Sequence, residues 1–158
     1  MRSLVVYDSV FGNTEELARA MAGVLASAGE VAMKRAEEAS AADLDGVELL
    51  VVGSPTRAFR PTPATMSFIK ELAPDALRGV RVAAFDTRID VEKINKRFLS
   101  FMVKSFGYAA KPIATALQRK GGSRAAEPAG FLVGDKEGPL IDGERERAVE
   151  WARALIEG

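Results

Sequence analysis

The residues equipped for chemistry fall in three short stretches. The first, Asp8-Ser9-Val10-Phe11-Gly12-Asn13-Thr14, sets hydroxyl and amide side chains around a glycine that permits a tight turn, just ahead of a helical pattern. A helix that starts there aims several unpaired backbone N–H groups, and the positive end of its dipole, into the loop. That is a phosphate site that needs no Lys or Arg. It is not a Walker loop, because Gly-Lys-Ser/Thr is absent, and it has one glycine where the dinucleotide fingerprint has three. A plainer reading of the same residues is that Asn13 caps the helix, Glu16 completes a capping box and the loop binds nothing. The second stretch runs from Ser54 to Pro63 and is stiffened by three prolines. The third is Asp86-Thr87-Arg88-Ile89-Asp90.

Composition narrows the chemistry further. The chain has no Cys and no His, which removes thiol nucleophiles, His-based triads, disulfide scaffolds and the common zinc sites. What remains is carboxylate, hydroxyl, Lys and Arg chemistry, or a bound cofactor. The 22 basic and 22 acidic residues balance, so there is no general attraction to nucleic acid or to an anionic membrane. No apolar run reaches the ~20 residues of a membrane span. The N-terminus enters a strand pattern directly, without a signal peptide, so the expected location is cytoplasmic. At 158 residues the expectation is one domain over 1–158, with no linker or repeat.

The elements that must position the three stretches can be read in order. Leu4-Val5-Val6-Tyr7 is a continuous apolar run, suited to a parallel strand buried on both faces. Leu17, Met21, Val24, Leu25 and Ala28 then mark a helix that stops at Gly29. Val31–Met33 predicts a short second strand, Asp43–Gly46 a turn and Glu48–Gly53 a strong third strand. A helix is expected over 64–73, a fourth strand over 80–85, helical segments over 91–106 and 111–120, a short fifth strand over 131–133 and a closing helix over 144–156. Strands alternating with helices imply a parallel sheet with helices on both faces, an α/β fold. Ligands of such sheets bind beyond the carboxyl ends of the strands, where the three stretches emerge.

With these residues in place, the chain resembles the flavodoxins and related FMN-binding domains. The resemblance rests on Val5 to Thr14 followed by Leu17-Ala18, on Gly53-Ser54-Pro55-Thr56, and on the order and spacing of the strand–helix units along nearly the whole chain. It implies a three-layer, doubly wound five-stranded parallel sheet of order 2-1-3-4-5, with FMN as cofactor. It further implies that the FMN phosphate lies on Ser9, Val10, Phe11, Gly12, Asn13 and Thr14. The isoalloxazine would lie between Ser54, Pro55, Thr56, Arg57, Ala58 and Phe59 on one side and Asp86, Thr87 and Arg88 on the other.

The chain departs from the family pattern in three ways. Phe11 stands where a hydroxyl residue is frequent. The classical carriers wall the flavin with a Trp and a Tyr, whereas the second stretch here offers only Phe59 and the third no aromatic residue. A nanomolar cofactor needs about 12 kcal/mol, helix-end charge supplies about 1–2, and burying one aromatic group adds roughly 5. A missing wall therefore matters, unless Phe98, Phe101, Phe106 or Tyr108 covers the ring; most of that apolar segment reads instead as core or subunit contact. Finally, Arg57, Arg60 and Arg88 sit in the ring-contacting stretches of a chain with no net charge. They face water, pair with Asp86 and Asp90, or approach the flavin and raise the potential of its second electron.

Other features read as structural. Lys93, Lys96, Arg97 and Lys104 make a basic helical face, either solvated or a dock for an acidic partner. Arg119-Lys120 is a helix-end charge pair, and Trp151 is packing. The functional expectation is electron transfer between redox proteins or to a small-molecule acceptor, with no catalytic side chain. One alternative is a flavin-dependent oxidoreductase acting directly on a quinone or porphyrinogen-like substrate. Another is an interaction module that has lost FMN. A homodimer through 91–106 is the expected site of any self-association.

Overall fold

The computed structural model describes residues 1–89 and 108–158. The elements are β1 (Arg2–Tyr7), α1 (Asn13–Leu25), β2 (Glu30–Arg35), β3 (Leu49–Pro55), α2 (Pro63–Lys70), β4 (Arg81–Ile89), α3 (Ala110–Arg119), β5 (Ser123–Arg124), β6 (Ala129–Val133) and α4 (Glu144–Glu157). All strand pairings among these are parallel, in the order β2-β1-β3-β4, and β4 is followed by two pieces side by side along its length. β5 pairs Arg81 and Val82, and β6 pairs Phe85 to Ile89. The expected order therefore holds, but the fifth position is built from two segments, of which the apolar run predicted only the second.

The continuous apolar strands are explained by a core on each face. Leu4, Val6, Leu50, Val52, Val82 and Ala84 pack with Phe68 and Ile69 of α2 and with Ile113 and Leu117 of α3. Their neighbours Val5, Tyr7, Leu49, Val51, Ala83 and Phe85 pack with Leu17, Met21 and Leu25 of α1 and with Ala148, Ala152 and Leu155 of α4. Period-two alternation is present, but both phases are buried, so no polar face breaks the run. Trp151 is packing, as expected: Phe85, Phe131 and Trp151 meet edge to face with ring centroids 6.1–6.3 Å apart.

Several boundaries differ from the sequence reading. The second strand has six residues rather than three, and the expected turn after it is a short 3-10 segment, Ala41–Leu44, capped by Ser40. The helix expected over 64–73 ends at Lys70, although Leu72 is still buried. At the end of α3, Lys120 Nζ donates to the carbonyls of Lys70 and Leu72 (3.3 and 2.6 Å), so this cation ties α3 to the end of α2. The largest difference is in β4, which continues through Ile89, so Asp86, Thr87 and Arg88 are strand residues and not a loop. Pro55 pairs with Thr87, and Thr56 N–H extends the ladder to Thr87 O at 2.9 Å. The helical segment and subunit contact expected over 91–106, the basic residues between Lys93 and Lys104, and Asp90 lie outside the described residues.

Candidate functional site

At the carboxyl end of the sheet the rows stop in step. Tyr7, Gly53 and Phe85 are in register, after which β1 turns away while β3 and β4 run on as a wall. The first loop crosses this edge into α1. Its anchor is Ser9, which is buried and whose Oγ accepts from the N–H groups of Gly12 (3.1 Å) and Glu15 (3.3 Å). Gly12 is the residue before the helix, with φ 96, a left-handed conformation that explains why glycine stands there. The capping box from Asn13 and Glu16 does not form. Asn13 is the first helical residue, and its Nδ2 donates to Glu137 O at 3.1 Å.

Four backbone N–H groups, those of Val10, Phe11, Asn13 and Thr14, have no acceptor among the described residues. They lie at the positive end of the α1 dipole. Behind them the loop is held by charge. Arg35, at the end of β2, donates to Ser9 O and to Glu15 Oε1, both at 3.3 Å, and lies 4.0 Å from Asp8 Oδ1. Tyr7 Oη donates to the same Glu15 oxygen at 2.9 Å; burial first, and then the Glu15 carboxylate, push this phenol up from its ordinary value. Asp8 and Glu15 are thus engaged from the rear.

Among the described residues, an open cleft of about 220 Å³ lies beside the four amides. It brings together Ser9, Val10, Phe11, Asn13 and Thr14 from the first loop, Pro55, Thr56, Arg57 and Ala58 from the second, and Thr87 and Arg88 from β4. Val10 and Phe11 are the large apolar side chains left exposed among the described residues, at 52% and 42%. Thr14 and Thr87, both buried, join hydroxyls at 2.9 Å and tie α1 to β4. In the second loop Arg57 and Arg60 exchange backbone hydrogen bonds (2.8 and 3.0 Å) around Ala58 and Phe59, whose φ values are 49 and 66.

Four of the predicted site residues do not line the cleft. Gly12 shapes the turn. Ser54 is buried, accepts from Thr62 N–H at 3.0 Å and donates to Pro55 O at 2.9 Å, so it holds the second loop from below. Phe59 occupies the turn beyond Ala58. Asp86 is fully buried and faces away from the cleft: it receives Arg88 Nε and Nη2 (2.6 and 2.7 Å) and Ala110 N–H (2.8 Å). The pairing of an arginine with Asp86 is therefore realised by Arg88, whose guanidinium also lies 3.7 Å from the Tyr108 ring centroid. A Cβ at Gly130 would fall 2.0 Å from Arg88 Cζ, so the arginine needs glycine at that point of β6.

Three lining residues, Ile89, Val133 and Lys136, were not predicted. Val133 ends the last strand and Lys136 lies in the loop after it, so the rule that sites collect beyond carboxyl ends points to both. The donor set fits a phosphate: four free amides at a helix start, with hydroxyls of Ser9 and Thr14 beside them and apolar Val10, Phe11, Ile89 and Val133 for a flat ring system. No group of His, Cys, Asp and Glu suited to a metal occurs among the described residues, and no helix among them is long and apolar enough to cross a membrane.

Comparison with known proteins agrees. A family model described as a flavodoxin domain matches residues 4–127. Among solved structures, the Streptococcus pneumonia TIGR4 flavodoxin superposes with a TM-score of 0.75 at 19% identity, covering 99% of both chains. Oxidised flavodoxin 1 from Bacillus cereus gives a TM-score of 0.77 at 18% identity, over 99% of this chain and 98% of that one. The rubredoxin oxygen:oxidoreductase of Desulfovibrio gigas gives a TM-score of 0.74 at 16% identity, over 99% of this chain but 35% of that one. No curated protein sequence matches the chain. The matched span takes in the first loop, the second loop and β4, and on it the chain belongs to the flavodoxin family, whose members bind FMN.

Proposed function

We propose that this protein carries electrons between redox proteins, with FMN held in the cleft at the carboxyl end of the sheet. The observation that carries the reading is the row of backbone amides at Val10, Phe11, Asn13 and Thr14, residues that line the cleft and whose N–H groups have no acceptor among the described residues. In this reading those amides, with the Ser9 and Thr14 hydroxyls, take the phosphate. Thr56, Arg57 and Ala58 flank the ring on one side, and Thr87, Arg88 and Ile89 on the other. When bound, FMN supplies reversible one- and two-electron chemistry. The chain binds and orients it, excludes water along the apolar lining and sets the charge around it. No side chain is assigned a proton-transfer role.

A second reading has an observation in its favour. The cleft-lining part of β4 is Thr87, Arg88 and Ile89, none of them aromatic, and among the described residues the cleft is open. Such a site admits direct reduction of a quinone-like acceptor over the ring. The visible spectrum of the purified protein, an FMN titration and turnover with small quinones separate these readings. A yellow protein with poor quinone turnover supports the carrier, and rapid turnover supports the enzyme. A colourless protein that ignores added FMN defeats both.

A further inference from the structure

Among the described residues, the charged ones that line the cleft are Arg57, Arg88 and Lys136, and all three are cations. Arg88 is neutralised by buried Asp86. Arg57 and Lys136 make no ion pair among the described residues. Arg57 is held against the first loop by a contact of its own, and Lys136 is placed beside that loop by the residues that follow it in the chain. The Arg57 guanidinium crosses from the second loop to lie 5.7 Å from the Phe11 ring centroid. On the other side, Glu137, next to Lys136, accepts Asn13 Nδ2 through its carbonyl at 3.1 Å, and Gly138 closes on the same side chain: a Cβ there would lie 2.7 Å from Asn13 Oδ1. Two cations without an ion-pair partner among the described residues therefore flank the first loop, while the acids behind it, Asp8 and Glu15, are taken up by Arg35.

We propose that Arg57 and Lys136 form a cationic clamp on the phosphate loop, which makes the site select the phosphorylated flavin over riboflavin. This rests on the FMN reading above and adds a specificity determinant to it. Phe11, which stands where a hydroxyl is frequent, becomes part of the device: its exposed ring is the perch on which the planar guanidinium is held. Because the cations are exposed, salt screens them, and FMN affinity falls as ionic strength rises.

The test is titration of the flavin-free full-length chain with FMN and, separately, with riboflavin, for wild type, Arg57→Gln, Lys136→Gln and the double variant. Arg60→Gln, in the same turn but away from the cleft, is the control. Each single variant is expected to weaken FMN about three- to fivefold, and the double variant about tenfold, since exposed charges contribute modestly. Riboflavin affinity should be unchanged in Lys136→Gln and should fall less than FMN affinity in the variants that lack Arg57, which also flanks the ring, so the FMN-to-riboflavin affinity ratio drops in every variant; the salt dependence of FMN binding should flatten in the double variant. Equal weakening of both flavins would make Arg57 and Lys136 a shape-filling strap and overturn the clamp. So would FMN binding unchanged in all variants, or an equal loss in Arg60→Gln; in those cases the FMN reading stands and only the clamp fails. Failure of wild type to bind FMN at all overturns the two together.

Discussion

Replacing Arg88 with methionine would strand a charge inside the sheet edge that supports the cleft. The Asp86 side chain is wholly inaccessible and has three donors, two of them on Arg88. Burial pushes its carboxyl up from the ordinary value, while the Arg88 guanidinium and the Ala110 amide pull it down. Arg88→Met leaves only the Ala110 amide. Breaking a buried pair costs about 3–5 kcal/mol, against a total stability of roughly 5–15 kcal/mol. At about 2–4 °C per kcal/mol for a domain of this size, the melting temperature should fall by about 6–20 °C. Asp86→Asn combined with Arg88→Met removes the stranded charge but keeps an acceptor for Ala110 N–H, and should recover at least about 2 kcal/mol. The sign of the pH effect is fixed. Without Arg88 the folded carboxyl holds its proton more tightly than the unfolded one, so the unfolded state binds fewer protons above the ordinary Asp range. Stability is then highest below that range and falls as pH rises toward the folded value. Urea unfolding from pH 4 to 8 reads both effects. An Arg88→Met protein as stable as wild type, or no gain in the double variant at pH 7, would refute the claim that this ion pair holds β4.

Three further outcomes are expected. Glu144 is bound by Arg147 and accepts Leu132 N–H at 2.7 Å; Arg147 first, and then the Leu132 amide, hold its carboxyl below the ordinary range against the opposing effect of burial. Its contribution is therefore present above pH ~4.5 and is lost as pH falls through the depressed folded value; Glu144→Gln should flatten that acid limb of the urea-unfolding profile, and an unchanged limb counts against it. Ala58 sits at φ 49, which costs a non-glycine residue about 1–2 kcal/mol. After the entropic penalty of glycine, about 0.4–1 kcal/mol, Ala58→Gly should be more stable by about 0.5–1 kcal/mol in thermal unfolding, and a less stable variant would contradict the strain. Thr87→Val leaves the buried Thr14 hydroxyl without its partner and should cost about 1–2 kcal/mol in urea, with part recovered by adding Thr14→Val; equal stability of Thr87→Val and wild type would show the hydroxyl pair to be inert.

What was legible in the sequence was what local pattern and chain order determine. β1 and β3 are buried on both faces, so their apolar runs needed no partner to be recognised, and the loop from Ser9 to Thr14 holds its anchor, its turn glycine and its free amides within a few residues. β5 was invisible because Ser123-Arg124 are exposed and polar; they are strand only by pairing with Arg81 and Val82. The end of β4 was misread for a related reason. Asp86, Thr87 and Arg88 break the apolar run, yet they stay in the ladder because Pro55 and Phe131 supply register from distant parts of the chain.

The same non-local register decides what the polar residues of this stretch can do. Asp86 and Arg88 have the chemistry of a ligand site, and residue type alone assigns both to the cleft. Strand alternation sends consecutive side chains to opposite faces, so Thr87 meets Thr14 across the cleft floor while Asp86 turns into the interior and meets Ala110. Arg88, two residues on, folds its guanidinium back to Asp86, into space that exists because β6 carries glycine at position 130. A charged pair that reads as functional from its composition thus becomes the brace that lets β4 carry polar residues past the last apolar row. Substituting Gly130 should accordingly disturb Arg88 before it disturbs the core, because the first obstruction a new Cβ meets is the guanidinium and not the sheet.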